Sequence, residues 1–369
     1  PMRFLCAGEP DESLISMVRA NVRVPDETMG DLWAQVTCCR TLANDLNDLL
    51  TDTGIDFAGL SEEIVSRTES AMRDAIRAVP DGSYSCELEY DGPDDFPGGV
   101  IIIACRVDVK DDELHVDYSG SSDQVELAVN VVPTYTYAYT AYGLKTVLAP
   151  WLPNAQGAFT PITVSAPPGS ILNPYFPAST GSRAQVGHLL PASVFAALAP
   201  AIPDRVQANP GSPISAVQLA SAQGERRFVV NAFLGAGQGA SAAMDGASAI
   251  SFPSNLSNAP IEVLENLGPI EVLHRSVRKG SGGDGRRRGG DGISFAFRLH
   301  GERTATGAFL VSRVRSVAQG LEGGGPGARG RLTLNGEEVD VAAHYTLRPG
   351  DIVQIETGGG GGFGAPVDE

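Results

Sequence analysis

The feature that most constrains the fold of this chain is a series of glycine-rich segments in its second half. Glycine accounts for 44 of the 369 residues. It is concentrated at residues 235–239, 281–285, 288–292, 320–327 and 357–364. Glycine has no Cβ, so it tolerates positive φ and close approach between backbones. Because each segment lies beside short apolar runs, the pattern predicts a β-rich half in which the backbone turns tightly or packs closely.

The first 80 residues have a different, helical periodicity. Asp26 can cap a helix that ends at Gly54, and Ser61 precedes a second apolar pattern that ends at residues 80–82. The first helix has a broad apolar stripe, formed by Met29, Leu32, Trp33, Val36, Leu42, Leu46, Leu49 and Leu50. Two long amphipathic helices joined by a short turn predict a helical hairpin. A stripe so long near a chain end predicts an interface with another chain or with an N-terminal portion of the same subunit.

Beyond residue 83 the apolar period changes to two. Residues 100–109 and 113–118 are predicted strands, 135–148 and 186–198 are predicted helices, and residues 261–263 form one of several later strand-like runs. Asn-Gly at 335–336 is a strong hairpin signal. We therefore predict an α+β fold, an N-terminal helical hairpin followed by a large β-rich mixed domain. Its expected divisions are a helical segment 1–82, a mixed α/β domain 83–224 and a β-rich glycine-loop domain 225–369.

Composition excludes several classes of partner. The formal net charge of −17 argues against nucleic acid and anionic membranes, which would repel the chain. No apolar run approaches the length that spans a bilayer. The five cysteines are odd in number and form no Cys-x-x-Cys pair, which indicates a reducing compartment, so a cytoplasmic location is expected.

Phrases along the chain resemble one known family. Residues 117–124 read Asp-Tyr-Ser-Gly-Ser-Ser-Asp-Gln, and further landmarks lie at 9–14, 19–25, 154–157 and 168–174. With the glycine segments, in this order, they resemble the hydantoinase B/oxoprolinase family over most of the chain. The resemblance implies a component of an ATP-dependent hydrolase that opens a cyclic amide, such as hydantoin, 5-oxoproline or a lactam. It also implies a hydantoinase A-type partner subunit that uses ATP and Mg²⁺.

Family members are longer at the N-terminus, and the resemblance implies that this portion binds a divalent metal ion. We therefore expect the sequence to be the C-terminal part of a subunit, with no metal site of its own and no activity when isolated. Two alternatives remain open. The chain resembles subunits of ATP-dependent, biotin-independent ketone carboxylases as well, and it could be a non-catalytic scaffold in such a complex.

Candidate binding residues for substrate or phosphate fall in two places. Arg183 and Gln185 belong to a stretch that matches a family landmark opening a helix, where free N–H groups favour anions. In this chain Arg183 replaces a small or acidic family residue, and an ordinary capped helix is the alternative. Gly235, Gly237 and Gly239 follow a predicted strand and could form an anion-binding nest of N–H groups or a tight packing corner.

Other polar groups give weaker signals. His115 and Asp117 lie on one face of a predicted strand, but two ligands are too few for a metal site. The basic cluster at residues 286–288 is interpreted as a solvated loop. No Ser-His-Asp arrangement or Gly-x-Ser-x-Gly elbow occurs, so the catalytic residues stay unknown.

Overall fold

The computed structural model describes residues 2–93, 96–221, 228–302 and 304–366. Short strands β1 (Leu5–Cys6) and β2 (Glu9–Pro10) pair before helix α1 (Glu12–Asn21). Helices α2 (Pro25–Thr53) and α3 (Phe57–Arg77) follow, and α2 ends at Gly54 with φ of 63°. The predicted turn between two long helices is therefore present.

The two long helices have different surroundings. Met72 and Ile76 of α3 are fully buried against the body. In α2, Met29 is the one buried residue, and Trp33 packs edge-on against Phe4. From residue 37 to residue 53 every residue of α2 is exposed except the half-buried Leu50. We call residues 37–53 the α2 arm.

The first hydrophobic core forms between a four-stranded sheet and three helices. The sheet has the order β3-β4-β5-β6, with β5 and β6 parallel and the other pairs antiparallel. Helix α6 packs on β3, β4 and α4, and all but one of its residues are buried. The elements are β3 (Gly82–Asp91), β4 (Val100–Lys110), β5 (Glu113–Asp117), α4 (Pro133–Leu148), β6 (Ile162–Ser165), α5 (Ala184–Gly187) and α6 (Leu190–Leu198).

A second core lies between two antiparallel sheets, with strand orders β14-β11-β7-β8 and β13-β12-β15-β10-β9. The elements are β7 (Ser215–Ser221), β8 (Val229–Leu234), α7 (Ile261–Leu267), β9 (Ile270–Arg278), β10 (Gly292–Leu299), β11 (Ala305–Leu310), β12 (Arg331–Leu334), β13 (Glu337–Glu338), β14 (His344–Leu347) and β15 (Ile352–Glu356). The chain contains both helices and several separate sheets, which confirms the predicted α+β class. The predicted domain boundary at 224/225 lies outside the described residues.

Local predictions in this half had two outcomes. The hairpin at Asn335 and Gly336 is confirmed, since both residues have the positive φ that a tight turn between β12 and β13 requires. The strand predicted at residues 261–263 is wrong, because these residues begin helix α7. A three-residue apolar run fits either structure, and burial of Leu264 favours the helix.

The glycine-rich segments assemble into one bundle of extended chains. Residues 357–364 are all buried at its centre. The N–H groups of Gly359 and Gly362 donate to carbonyls of the same neighbour, Ala328 at 3.1 Å and Gly325 at 2.9 Å. Contacts that recur every three residues are the signature of a polyproline II-type helix. We call this assembly the glycine bundle.

Each side of the central segment pairs with a different neighbour. The carbonyls of Gly358 and Gly361, again three residues apart, accept from the N–H groups of Gly237 at 3.0 Å and Ala240 at 2.9 Å. The N–H of Gly360 donates to Gly290 at 2.9 Å. The bundle thus satisfies its backbone polar groups with other backbones, without the flat ladder of a sheet.

Candidate functional site

The segment that carries Arg183 and Gln185 is a break between two short helices. Helix α5 ends at Gly187, and the chain resumes as α6 at Leu190, so the predicted continuous helix over 186–198 is interrupted. Gln185 contacts β3 on one side of the break, and His188 contacts α4 on the other. The break therefore presents polar groups in two directions.

On the Gln185 side lies a cleft of about 940 Å³, lined by residues of both hydrophobic cores. Gln185 is only 4% exposed, and the Tyr90 hydroxyl donates to its Oε1 at 2.8 Å. Burial raises the pKa of Tyr90 above its usual range, so the phenol stays a donor. The Gln185 Nε2 makes one long contact, 3.4 Å to the carbonyl of Ile214. Its amide group is therefore fixed in orientation while retaining donor capacity.

The cleft wall carries charges of both signs, four arginines (278, 315, 329 and 331) and three carboxylates (91, 338 and 340). Arg278 pairs with Glu356 at 3.4 Å, and Arg331 pairs with Glu338 at 2.7 Å. Within the described parts of the chain, the Arg329 side chain has neither a hydrogen bond nor an ion pair. Clefts between two cores with a few convergent polar groups are common ligand sites. The Arg329 guanidinium can pair there with an anion.

A partly buried contact joins the two cores beside this cleft. The Asp91 carboxylate accepts from the backbone N–H groups of residues 314–316 at 2.8 to 3.0 Å. Arg313 is 1% exposed and donates to the carbonyls of Glu89 at 2.8 Å and Val317 at 3.1 Å. Burial lowers the pKa of Arg313 below its ordinary value. These contacts hold the end of β3 against the second core.

On the opposite side of the break, His188 belongs to a chain of hydrogen bonds with a defined direction. The Ser254 hydroxyl donates to the carbonyl of Pro213, so its oxygen accepts from Nδ1–H of His188 at 2.8 Å. The imidazole Nε2 is then an acceptor, and the Tyr135 hydroxyl donates to it at 2.7 Å. The Tyr139 ring stacks on the imidazole at 4.4 Å between centroids.

The environment keeps His188 neutral at ordinary pH. Its pKa is lowered to about 4, mainly by burial and in smaller part by the positive charge of Arg183. The Arg183 guanidinium lies 5.3 Å from the centre of the Tyr135 ring, within cation–π range. Burial also raises the pKa of Tyr135. The chain from Tyr135 through His188 to Ser254 is thus uncharged and oriented, an arrangement that can hold or pass a proton.

The other predicted candidates occupy the glycine bundle. Gly235 and Gly237 donate their N–H groups to Asn258 Oδ1 at 3.3 Å and to the carbonyl of Gly358 at 3.0 Å. All three candidates, Gly239 included, are buried, none has a positive φ, and none lines the cleft. The structure therefore does not bring them together with Arg183 or Gln185, and the N–H of Gly237 is already occupied.

His115 and Asp117 share an exposed face of β5, as expected. The His115 ring contacts Thr163 at 2.9 Å and Ser165 at 3.0 Å, and Asp117 pairs with Arg106 at 2.8 Å. Across residues 2–93, 96–221, 228–302 and 304–366, no three His, Cys, Asp or Glu side chains lie close enough to hold a metal ion. The donors present here do not fit a divalent metal. None of the helices described is long and apolar enough to cross a membrane.

Several groups at this site were not predicted. Tyr90, Asp91 and Arg329 carry no local signal, because their partners or neighbours lie far along the chain. The tyrosines of α4 did carry one, since Tyr135, Tyr139 and a third tyrosine at 142 have i, i+4, i+7 spacing. That spacing places them on one helix face, where two of them meet His188.

Comparison with known proteins shows which family has this sequence and architecture. The hydantoinase B/oxoprolinase family model matches residues 1–366. A protein of Pseudomonas sp. (strain NS671), named for the B-type component of a D-/L-hydantoinase, is 30% identical over 297 residues, which is 77% of this chain and 50% of that protein. The beta component of the caprolactamase of Pseudomonas jessenii is 29% identical over 79% of the chain and 52% of its own length. The chain thus spans about half the length of these relatives.

A solved structure agrees with the sequence matches. The crystal structure of the ATP-dependent caprolactamase from Pseudomonas jessenii superposes with a TM-score of 0.86 and 25% identity, over 99% of this chain and 66% of that one. The agreement extends from the N-terminal helices to the glycine bundle. The chain therefore belongs to the hydantoinase B/oxoprolinase family.

Proposed function

We propose that this chain is part of the B-type component of an ATP-dependent enzyme that opens a cyclic amide, such as hydantoin, 5-oxoproline or a lactam. The observation that carries the proposal is the agreement in fold and sequence with an ATP-dependent caprolactamase over nearly the whole chain. Relatives are components of multi-subunit enzymes, which supports a partner subunit here as well. The free cysteines support a reducing, cytoplasmic location.

The need for a partner follows from amide chemistry. An unstrained amide is a poor electrophile, and converting its oxygen to a phosphate leaving group lowers the barrier to attack at carbon. We assign that step to a hydantoinase A-type subunit that uses ATP and Mg²⁺. The B-type component then receives the activated ring and supports attack on its carbonyl carbon. A divalent metal ion for that attack would need residues beyond those that the structure describes, since the described donors do not fit one.

The cleft gives this chain its own role in the reaction. A phosphorylated cyclic amide is planar, polar along one edge and anionic. The oriented Gln185 amide suits the polar edge, and the Arg329 guanidinium, which has no partner among the described residues, suits the phosphate. Arg183 does not line the cleft. We assign it the positioning of the Tyr135 ring, and with it the neutral His188.

A direct test combines the complete subunit with its ATP-using partner. Hydantoin, 5-oxoproline and caprolactam are each supplied with ATP, with and without bicarbonate, and ring-opened product and ADP are measured. We expect ring opening that requires both subunits and ATP and is unaffected by bicarbonate. Ketone carboxylation that requires bicarbonate would identify the carboxylase alternative. Turnover by this chain alone, or by the partner alone, would contradict the proposal.

The role of Gln185 has its own test. Gln185→Leu removes the amide hydrogen bonds at nearly constant volume, and we expect kcat/KM of the complex to fall by about tenfold or more. Tyr90→Phe is the matched control, because it deletes the same Tyr90–Gln185 hydrogen bond but leaves the Gln185 amide in place. A binding role predicts a larger loss for Gln185→Leu than for Tyr90→Phe. Equal losses would show that Gln185 only supports the fold.

A further inference from the structure

The α2 arm presents a leucine face that nothing in the described structure covers. Leu42, Leu46 and Leu49 are 66%, 36% and 53% exposed. At the α-helical rotation per residue they fall within about 60° of one another, so they form a single stripe. Isolated helices gain little stability from their own hydrogen bonds and depend on burial of an apolar face. A long helix with such a stripe exposed therefore lacks the surface that should cover it.

This leucine face is distinct from the face by which α2 contacts the rest of the chain. Met29 is buried, and Leu32 and Val36 are half-buried, near the start of the helix. These three residues lie roughly 100° around the helix from the leucine stripe. The body of the protein therefore cannot cover both faces through the same side of the helix. A different surface is needed for the leucines.

The start of α3 carries exposed apolar residues of its own. Phe57, Leu60 and Ile64 are each more than 40% exposed. They follow α2 after a three-residue turn and share one face of α3 by their spacing. Exposed apolar residues concentrated in one part of a chain mark an interaction site more strongly than scattered ones.

The charges beside the leucine face limit which kind of surface can cover it. Asp45, Asp48 and Asp52 are exposed and flank the leucine face on one side. No Lys, Arg or His occurs between residues 41 and 66. The one cation of the arm, Arg40, lies on the opposite side of the helix from Leu42 and donates to the carbonyl of Gly8 at 3.3 Å, so a second copy would bring three more carboxylates without a cation beside the leucine face. A heterologous surface with an apolar groove and a basic rim would complement both the leucines and the carboxylates.

We propose that the leucine face of the α2 arm docks into an apolar groove bordered by Lys or Arg on the ATP-using partner subunit. The identity of that partner rests on the proposed function, whereas the chemistry of the groove rests on the arm itself. Docking would cover the exposed leucines and place three carboxylates against a cationic rim.

The test uses the complete subunit and its partner. Leu42→Asp with Leu46→Asp places charge in the stripe, and we expect the dissociation constant of the pair to rise by about a hundredfold or more. Asn47→Asp with Thr51→Asp is the matched control, because it adds the same charge on the opposite side of the helix. The control pair should bind like the unmodified protein in sedimentation and titration calorimetry.

The charged flank has a separate readout. Changing Asp45, Asp48 and Asp52 together to Asn should weaken binding several-fold and flatten its dependence on salt, since screened charge pairs steer association. The leucine variant should lose affinity at every salt concentration. Salt dependence that is unchanged by the three substitutions would contradict the basic rim.

Other outcomes would overturn the proposal while leaving the proposed function intact. Unchanged assembly of the Leu42→Asp, Leu46→Asp protein would show that the partner docks elsewhere. A lower melting temperature of that variant subunit on its own would show that its own chain covers the leucines. Dissociation of a homodimer would identify a second copy. Conversely, a pair that depends on the arm but opens no ring would support docking and contradict the proposed function.

Discussion

The glycine bundle and the α2 arm are stabilised by opposite means. The central segment of the bundle, residues 358–362, has no side chains at all, is fully buried and bonds its N–H and C=O groups to several neighbouring segments. The α2 arm has a regular helix with apolar side chains, yet Leu42, Leu46 and Leu49 remain exposed among the residues that the structure describes. The bundle is complete within the described chain, and the arm is not. This difference is what we expect if the centre of the chain is self-sufficient and the arm docks as proposed above.

The largest effect on stability is predicted for a substitution that disrupts the glycine bundle. In Gly237→Ala, the added Cβ would collide with the carbonyl oxygen of Gly290 and the backbone nitrogen of Gly360. Those two atoms are themselves hydrogen-bonded, so neither can move without losing a partner. We expect a loss of at least about 4 kcal/mol of stability, seen as a fall of roughly 10 °C in melting temperature or as insoluble protein.

The same variant separates packing from binding. If Gly237→Ala melts normally but the reconstituted complex has lost turnover, its N–H group faces the substrate and the bundle is part of the active site. Close packing predicts the reverse order, with loss of stability before any loss of chemistry can be measured.

The sequence predicted the local elements of the fold better than it predicted the glycine bundle. Local signals were sufficient for the α+β class, the turn at Gly54 and the hairpin at Asn335. The bundle was not foreseen as one assembly, because its hydrogen bonds join distant residues such as Gly237 and Gly358. Each glycine segment was interpreted by itself, as a tight turn, a packing corner or a nest, whereas together the segments let their backbones approach one another. A single sequence holds no record of such contacts between distant segments.

The candidate site shows the same limit. Gln185 was chosen from its place before a helix, but its partner Tyr90 lies 95 residues away along the chain. The contact of His188 with Ser254 spans 66 residues, so no local pattern indicates it. Residue type and local spacing therefore suggested which side chains matter, while the cleft and the hydrogen-bond direction came only from the fold.

The second prediction concerns the pH dependence of stability, which we attribute to the buried side chain of His188. His188 titrates near 6.5 when unfolded and near 4 when folded, so its protonation favours the unfolded chain. Stability from this group is full above pH 6.5, falls as the pH drops towards 4 and is constant below that. The total loss approaches about 3 kcal/mol. His188→Gln should lose this part of the pH dependence, which melting temperatures between pH 7.5 and 5 would measure.

If the stability of His188→Gln depends on pH as strongly as that of the unmodified protein, this assignment is wrong. The central segment of the bundle has no titratable side chain, so it should not replace the contribution of His188. Tyr135→Phe is a useful companion, since it removes the phenol that donates to the imidazole while leaving the ring stack.

The smallest effect on stability is predicted for a glycine outside the bundle, which is not closely packed. Gly30 lies in α2, and a Cβ added there meets nothing within 4 Å. Gly30→Ala should therefore stabilise the helix by about 0.5 to 1 kcal/mol, because alanine loses less backbone entropy on folding. Amide exchange in the neighbouring turns of α2 should slow by about threefold. Faster exchange would show that this side of α2 packs against something that the described residues do not include.

Hydrogen–deuterium exchange, recorded for the complete subunit with and without its partner, tests the contrast between bundle and arm most directly. We predict that the amides of Gly237, Ala240 and residues 360–362 exchange only through global unfolding and are insensitive to the partner. Amides of the α2 arm should exchange quickly in the subunit alone and become protected when the ATP-using partner is added. Rapid exchange in the bundle, or an arm already protected without the partner, would contradict the account.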